Sequence, residues 1–260
     1  MTLAGTWVNE YGSKMQLAQL NTNLVIGTYS STTGSTGTYA VIGYQTSAEP
    51  TANAGQAVAL AIEWHSITGG QGDNSWHWVS GLSGQISIEN NAESLVLAHA
   101  MVASTDFPGL ATAGTYIDKL IYTRVSDERS PATVTVQEDA SLADPMVGSW
   151  SANDGTGLLI TNVTPYTNGE FGWVRGKAII GGVVCEIQGV TDINAASNGL
   201  TLQSVAITAL TGTSGPAVAF GGTLNLQTGV LTLLDLQSQP TAANATYVQT
   251  QVSSKTFTRN

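Results

Sequence analysis

The sequence predicts an all-β protein built as two tandem eight-stranded antiparallel up-and-down barrels. Three observations carry this. First, Leu3 to Leu17 reads LAGTWVNEYGSKMQL, and Val147 to Thr161 reads VGSWSANDGTGLLIT. Each copy is Gly-(Thr/Ser)-Trp, a polar run with Gly in its middle, then an alternating apolar segment, which suits a first strand and a first hairpin. Second, both halves end alike, with IYTR at 121–124 and TFTR at 256–259. Third, the segments between run with period two and are punctuated by Gly, Asn, Ser and Pro, while few show a helical period. The repeat therefore divides the 260 residues into two halves of small-domain length.

In the first half, the hairpin is followed by LVIGTY (24–29), the loop SSTTGSTG (30–37) and TYAVIGY (38–44). A Pro/Gly loop leads to AVALAIEWH (57–65), and ITGGQGDN (67–74) leads to SWHWVSGLSG (75–84). QISI (85–88) is either the tail of that strand or part of a hairpin; LVLAHAMVA (95–103) and TYIDKLIYTRV (115–125) complete the set. About eight strands in sequential order close into a barrel wide enough for one small ligand or a filled interior. Residues 1–125 are thus expected to form one domain and 147–260 the other. Residues 126–146, SDERSPATVTVQEDASLADPM, read as an acidic linker with a short strand at ATVTV (132–136).

Composition narrows the function. Lys and Arg number 8 against 18 Asp and Glu, a formal charge of −10, which repels nucleic-acid phosphates and anionic membranes. The six Trp are then better placed in core, pocket or interface. The lone Cys185 cannot form an intrachain disulfide and reads as a small buried hydrophobe. His65, His77 and His99 lack metal-ligand spacing, so no metal site is expected. MTLAGTW shows neither a basic n-region nor an apolar h-region. The expectation is a cytoplasmic protein, or one secreted by a route the chain does not display. The sequons at Asn162 and Asn244 are then expected to be inert.

GTWVNEYGSKM (5–15), IGTYSS (26–31), GQAVAL…W (55–64), SWHWVSG (75–81) and IYTR (121–124), in this order and spacing, resemble the avidin family, streptavidin and the fungal tamavidins included. The resemblance covers nearly all of the first half; the second passes as a diverged sibling. It implies a barrel with a pocket at its open end, in the family filled by biotin. Carried over residue by residue, Asn9, Ser13 and Tyr29 would hold a ureido oxygen. An amide NH₂, a hydroxyl and a phenol can indeed aim three donors at one oxygen in a dry pocket. Ser31, Thr33 and Ser35 would meet the ligand's tail beneath the lid loop. Trp64 would wall the pocket, and Ser75 and His77 would line it beside the tail and the sulfur.

The departures are equally specific. Leu120 stands where the family places an acceptor for a ureido N–H, with Asp118 two residues back as a substitute at another depth. Ala100 and Val79 fall at aromatic wall positions, and Thr112 at the Trp lent by a neighbouring subunit. In the second half, Ala152, Thr156, Val174 and Thr208 replace Asn9, Ser13, Tyr29 and Trp64, so a filled or differently used interior is expected. Trp7 and Trp150 read as barrel-floor core. Alternation with Ser75, His77 and Val79 turns Trp76 and Trp78 outward as an interface stripe, unless a bulge reverses the register.

The expected function is non-catalytic binding of biotin or a biotin-like ligand in the first barrel, weakened by the missing walls. No cofactor is expected beyond biotin as ligand. A homo-oligomer, a dimer of two-barrel chains, would complete the arrangement. The alternative is a diverged interaction or defence protein, a lectin or toxin, that does not bind biotin. An enzyme using Asp118, His77 and Tyr29 as acid and base groups has little support, because no nucleophile motif or phosphate loop is present.

Overall fold

A computed structural model describes residues 3–32, 34–129, 134, 141–166, 169–245 and 250–260. The first eight strands are β1 (Gly5–Asn9), β2 (Lys14–Gln19), β3 (Leu24–Ser31), β4 (Gly37–Gln45), β5 (Gln56–Glu63), β6 (Trp78–Glu89), β7 (Ala92–Ala103) and β8 (Gly114–Ser126). The next eight are β9 (Gly148–Ala152), β10 (Gly157–Pro165), β11 (Gly172–Ile180), β12 (Val183–Thr191), β13 (Leu202–Leu210), β14 (Ala217–Asn225), β15 (Leu231–Ser238) and β16 (Thr250–Arg259). Each set pairs antiparallel with its sequence neighbours and closes on itself, β8 on β1 and β16 on β9. The chain is two closed barrels in series, as its repeats predict.

The Gly-(Thr/Ser)-Trp and Thr-Arg motifs meet where each barrel closes. Trp7 pairs with Arg124 in register, and Trp150 with Arg259. Each guanidinium lies over the facing indole, 4.5 Å from the ring centre in the first barrel and 4.6 Å in the second. Each indole N–H donates to a carbonyl four residues back, Leu3 and Met146, both at 2.9 Å. Gly5 and Gly148 sit at φ +138° and +147°, and a methyl group on either would strike the arginine. Glycine is what lets the arginine reach the tryptophan. Both Trp are buried floor, as the sequence indicates.

The interiors differ. Trp7, Met15, Leu17, Leu60, Leu82, Leu95 and Leu97 fill only the lower part of the first barrel. In the second, Trp150, Ile160, Val174, Ile187, Ile207, Phe220 and Phe257 form a continuous apolar core. Cys185 lies at the edge of that core, its thiol pushed above the ordinary range by burial.

The barrels pack outer face on outer face. Ile42, Ala61, Val79 and Val102 meet Tyr166, Phe171, Trp173 and Val190. Beside them Tyr44, Ala57 and Ala59 meet Leu210, Ala217 and Ala219. Small residues bring the sheets close: a methyl on Gly81 would stand 3.1 Å from the Phe220 carbonyl. Polar pins fix the register, among them Ser83 Oγ to Ala217 O at 3.0 Å and Gln85 Nε2 to Thr241 Oγ1 at 2.7 Å.

Two sequence expectations change here. SWHWVSGLSG is not one strand: Asn74–His77 forms a 3₁₀ turn capped by Asp73, whose Oδ1 accepts from Ser75 N at 2.8 Å. Strand β6 starts only at Trp78 and runs through QISI to Glu89, so QISI is its tail. The outward Trp76–Trp78 stripe fails for the same reason, because a turn does not alternate. Trp76 stacks on His65, ring centres 3.6 Å apart, and Trp78 turns toward the barrel mouth. Val79, expected inside, faces the other barrel. The strand expected at ATVTV lies, apart from Val134, outside the described residues.

Candidate functional site

At the open end of the first barrel, the β1–β2, β3–β4, β5–β6 and β7–β8 connections surround a cavity of ≈ 230 Å³. Asn9 and Tyr29 sit at its polar end. Asn9 ends β1, and its Oδ1 accepts from Tyr11 N at 3.1 Å and Ser13 N at 2.9 Å, the turn geometry that Asx residues favour. The hairpin therefore holds the carboxamide with its Nδ2 end toward Tyr122 and the cavity.

Ser13 does not join them as the third donor. It is buried behind Asn9, where its Oγ accepts from Thr32 N at 3.4 Å and ties down the β3–β4 loop. The third polar group at this end is Tyr122, wholly buried beside Tyr29 and Asn9. Among the described residues its hydroxyl has no hydrogen bond of ordinary geometry, and burial first, then the neighbouring Tyr29, holds its pKa well above the usual phenol value. Comparing the two closing motifs was the available signal: IYTR carries a phenol where TFTR carries a phenyl.

Trp64 and Trp78 form the aromatic walls. The Trp64 ring meets Tyr29 edge-on at 5.7 Å and Tyr39 at 5.0 Å, and its Nε1 donates to Ser80 Oγ at 2.8 Å. Trp78 donates to Thr105 O at 2.9 Å and packs against Phe107. The 3₁₀ turn shifts the phase of β6, so the aromatic position that Val79 misses is filled by Trp78, one residue earlier. On β7 the inward residues are His99 and Met101, while Ala100 faces the second barrel. The wall position assigned to Ala100 is therefore displaced by one residue.

Ser80 Oγ also lies 2.8 Å from His99 Nε2. An indole N–H can only donate, so the Ser80 oxygen accepts from Trp64 and has its own proton to offer His99. Burial pushes the His99 pKa down to about 4 and the Asp118 carboxylate opposes it, so the imidazole is neutral at pH 7. Leu120 completes the wall opposite.

At the mouth stand Ser31, Ser35 and Asp118, together with Leu110 and Ala111 from the β7–β8 connection. Ser35 Oγ lies 2.8 Å from Tyr39 OH and donates to Asp73 Oδ2 at 3.1 Å. Ser75 is not on the cavity surface; it is buried behind Ser35, 3.0 Å away. Asp118 is exposed, paired across the strands with His99. Thr33 lies outside the described residues. Leu110 and Ala111 cover the mouth from the same connection that carries Thr112.

His77 is the clearest displacement. The 3₁₀ turn sends it away from the cavity and into the seam, where its Nδ1 lies 2.7 Å from Asp192 Oδ2 of the second barrel. Its carbonyl accepts from Ser204 Oγ at 2.6 Å. Of the candidates, Asn9, Tyr29, Ser31, Ser35, Trp64 and Asp118 share one cavity, while Ser13, Ser75 and His77 serve the scaffold around it.

The family model of the avidins matches residues 1–124. The first barrel is an avidin-family domain. A comparison with curated proteins finds no match to the chain. Because β9–β16 repeat the same closed order, the chain is a tandem of avidin-like barrels.

Strand register now fixes which residues of the second barrel correspond to this avidin cavity. Trp7 pairs with Met15 and Met15 with Tyr29; Trp150 pairs with Leu158 and Leu158 with Ala178. The phenol position is therefore Ala178, not Val174. The same walk puts Ile62 on Ala209 and hence Trp64 on Thr211, not Thr208. Thr208 lies between the inward Ile207 and Ala209, with its hydroxyl on Gln188 O at 2.9 Å. Among the described residues, no three His, Cys, Asp or Glu are grouped to hold a metal ion.

Proposed function

We propose that the first barrel binds a small cyclic ligand of the biotin kind, without catalysis. One observation carries this: an amide and a phenol converge beside a third buried hydroxyl at the end of a cavity with two tryptophan walls. A ligand carbonyl placed there would receive hydrogen bonds in a dry, low-dielectric site, where each counts for more than in water. The tryptophan walls would add ~25 cal/mol for each Å² of apolar surface withdrawn from water. Membership of the first barrel in the avidin family supports the reading.

Leu120 offers no acceptor to a ring N–H, so biotin held in this pose would leave one donor unpaired. Such a loss costs about 1–3 kcal/mol, and the expected affinity is correspondingly modest. Titration with biotin, followed by tryptophan fluorescence and calorimetry, should show saturable binding that Tyr29→Phe weakens. Absence of heat and spectral change at millimolar biotin would overturn the biotin reading.

The same wall favours a second reading. Leu120 and His99 suit a ligand with a buried carbonyl but no flanking N–H, which would fit a diverged interaction protein of the lectin or toxin kind. Binding to a glycan array without biotin binding would select it. We further propose that two chains pair to give four barrels. Support comes from Ile117, Ile121 and Val125, exposed on the outer face of β8. Sedimentation equilibrium distinguishes this dimer from a monomer.

A further inference from the structure

The second barrel has its own cavity at the corresponding end, ≈ 480 Å³ in volume against ≈ 230 Å³ in the first. The β9–β10, β11–β12 and β13–β14 turns ring it, through Asp154, Gly181, Thr211 and Pro216. Register shows how its chemistry differs. Tyr122 becomes Phe257, Leu82 becomes Phe220 and Asn9 becomes Ala152, so the deep polar end of the first cavity is apolar and filled here. Toward the mouth the change runs the other way. Leu120 becomes Lys255, His99 becomes Asp235 and Met101 becomes Gln237. The second barrel has lost the deep pocket and gained a polar, shallow one.

Lys255 Nζ bridges Asp154 on the turn and Asp235 inside, the latter at 3.2 Å. Gln237 Nε2 donates to Asp235 Oδ2 at 2.8 Å. Asp235 is only 1% exposed, yet its Oδ1 has no hydrogen-bond partner among the described residues. A buried carboxylate oxygen left unpaired is costly. A Lys ammonium carries three donors, so two carboxylates leave Lys255 one more. The cavity thus presents the spare Lys255 donor, the Gln237 carboxamide and the Asp154 carboxylate beside an apolar rim of Ile180, Val183 and Pro216, with Asp235 buried behind them.

We propose that this cavity is a second ligand site, for a small neutral polyhydroxylated molecule of monosaccharide size. Hydroxyl groups both donate and accept, so one ligand can accept from the Lys255 N–H and donate to the Asp154 carboxylate together. A cationic ligand would meet the Lys255 ammonium, and an anionic one would meet two carboxylates. The apolar rim suits the C–H face of a ring. This site is separate from the first cavity and does not depend on what fills that one.

The test is backbone-amide NMR on the full ¹⁵N-labelled chain, titrated with myo-inositol, glucose, galactose and N-acetylglucosamine to about 100 mM, since weak millimolar binding is worth only ~4 kcal/mol. Guanidinium and phosphate serve as charged controls. The expected result is saturable shifts at Gly181, Gly182 and Lys255 with at least one hydroxylated probe, and none at Tyr29 or Trp64. Asp154→Asn, on a half-exposed turn where folding is not at stake, should weaken that binding about tenfold, as loss of a charged hydrogen bond does. Saturable shifts with a charged control alone, no saturable shift with any probe, or unchanged affinity in D154N would each overturn the proposal. Biotin titration of the same sample reads the first barrel independently.

Discussion

The Nδ1 of His77 lies 2.7 Å from Oδ2 of Asp192, a contact that spans 115 residues of sequence and joins the two barrels. Asp192 is 1% exposed, whereas His77 retains some solvent contact. The pair sits among the polar pins of an otherwise apolar seam, so it fixes how one sheet lies on the other more than how strongly they adhere.

Removing one partner strands the other. His77→Ala should leave the Asp192 carboxylate short of a donor and cost about 2–3 kcal/mol, read as a lower midpoint in urea. Asp192→Asn should cost less, because the amide can still accept from His77. A double-mutant cycle should give a coupling of about 1 kcal/mol or more; strict additivity would show that the contact contributes nothing.

Acid should destabilise the protein through two histidines. Burial pushes both the His65 and His99 imidazoles down to about 4, against an ordinary 6.5. The Glu170 backbone carbonyl and the Asp192 carboxylate oppose this at His65, as the Asp118 carboxylate does at His99. Between those values the unfolded chain binds protons that the folded chain refuses, so stability is lost as pH falls from about 6.5 toward 4. Thermal melts over that window should show the decline, and His65→Gln should flatten it. His99 is partly exposed at the cavity, so its share should be smaller.

Glu63 works in the opposite sense. It is wholly buried, its pKa is held well above the usual carboxylate range by burial, and one of its oxygens has no partner among the described residues. The folded state therefore holds a proton that the unfolded state releases, and stability falls as pH rises from the ordinary Glu value through the folded one. Glu63→Gln keeps an oxygen to accept from His65 N, as Glu63 does at 2.7 Å. The variant should be more stable than the parent at pH 8, with the advantage shrinking at pH 4; calorimetric scans at both pH values decide.

Leu120→Asn should raise affinity for biotin by about tenfold, by giving a ring N–H an acceptor where the wall is now apolar. The same change should lower stability of the unliganded protein, because Leu120 is only 6% exposed and the new amide would be desolvated. Paired calorimetry and melting of L120N check both halves. Unchanged affinity would mean that the ligand does not lie against β8 in this pose.

Much of the fold was written in local pattern. Period two, Gly-rich turns and the paired Gly-(Thr/Ser)-Trp and Thr-Arg motifs specify strand count, order and closure, because alternation and turn chemistry act over a few residues. Trp7 and Trp150 could be placed as floor for the same reason. The cavity was legible only where a residue's inward direction followed from an uninterrupted strand or its hairpin, as for Asn9 and Tyr29. Where the chain left the strand, phase was lost: one 3₁₀ turn at Asn74–His77 moved Trp78 inward, Val79 outward and His77 into the seam.

The sequence by itself determined that two antiparallel cylinders stand in series and that the first keeps an amide and a phenol for its open end. Tertiary structure alone decided that Tyr122 lies beside Asn9 and Tyr29 while Ser13 ties down the β3–β4 loop, and that Ser80 links Trp64 to His99. It also decided that the second cylinder has exchanged a deep polar end for a charged mouth. The physical reason is shared by all three. Each depends on which side chains from distant strands face one another across a closed sheet, and that is set by ladder register and barrel closure, which no single segment encodes.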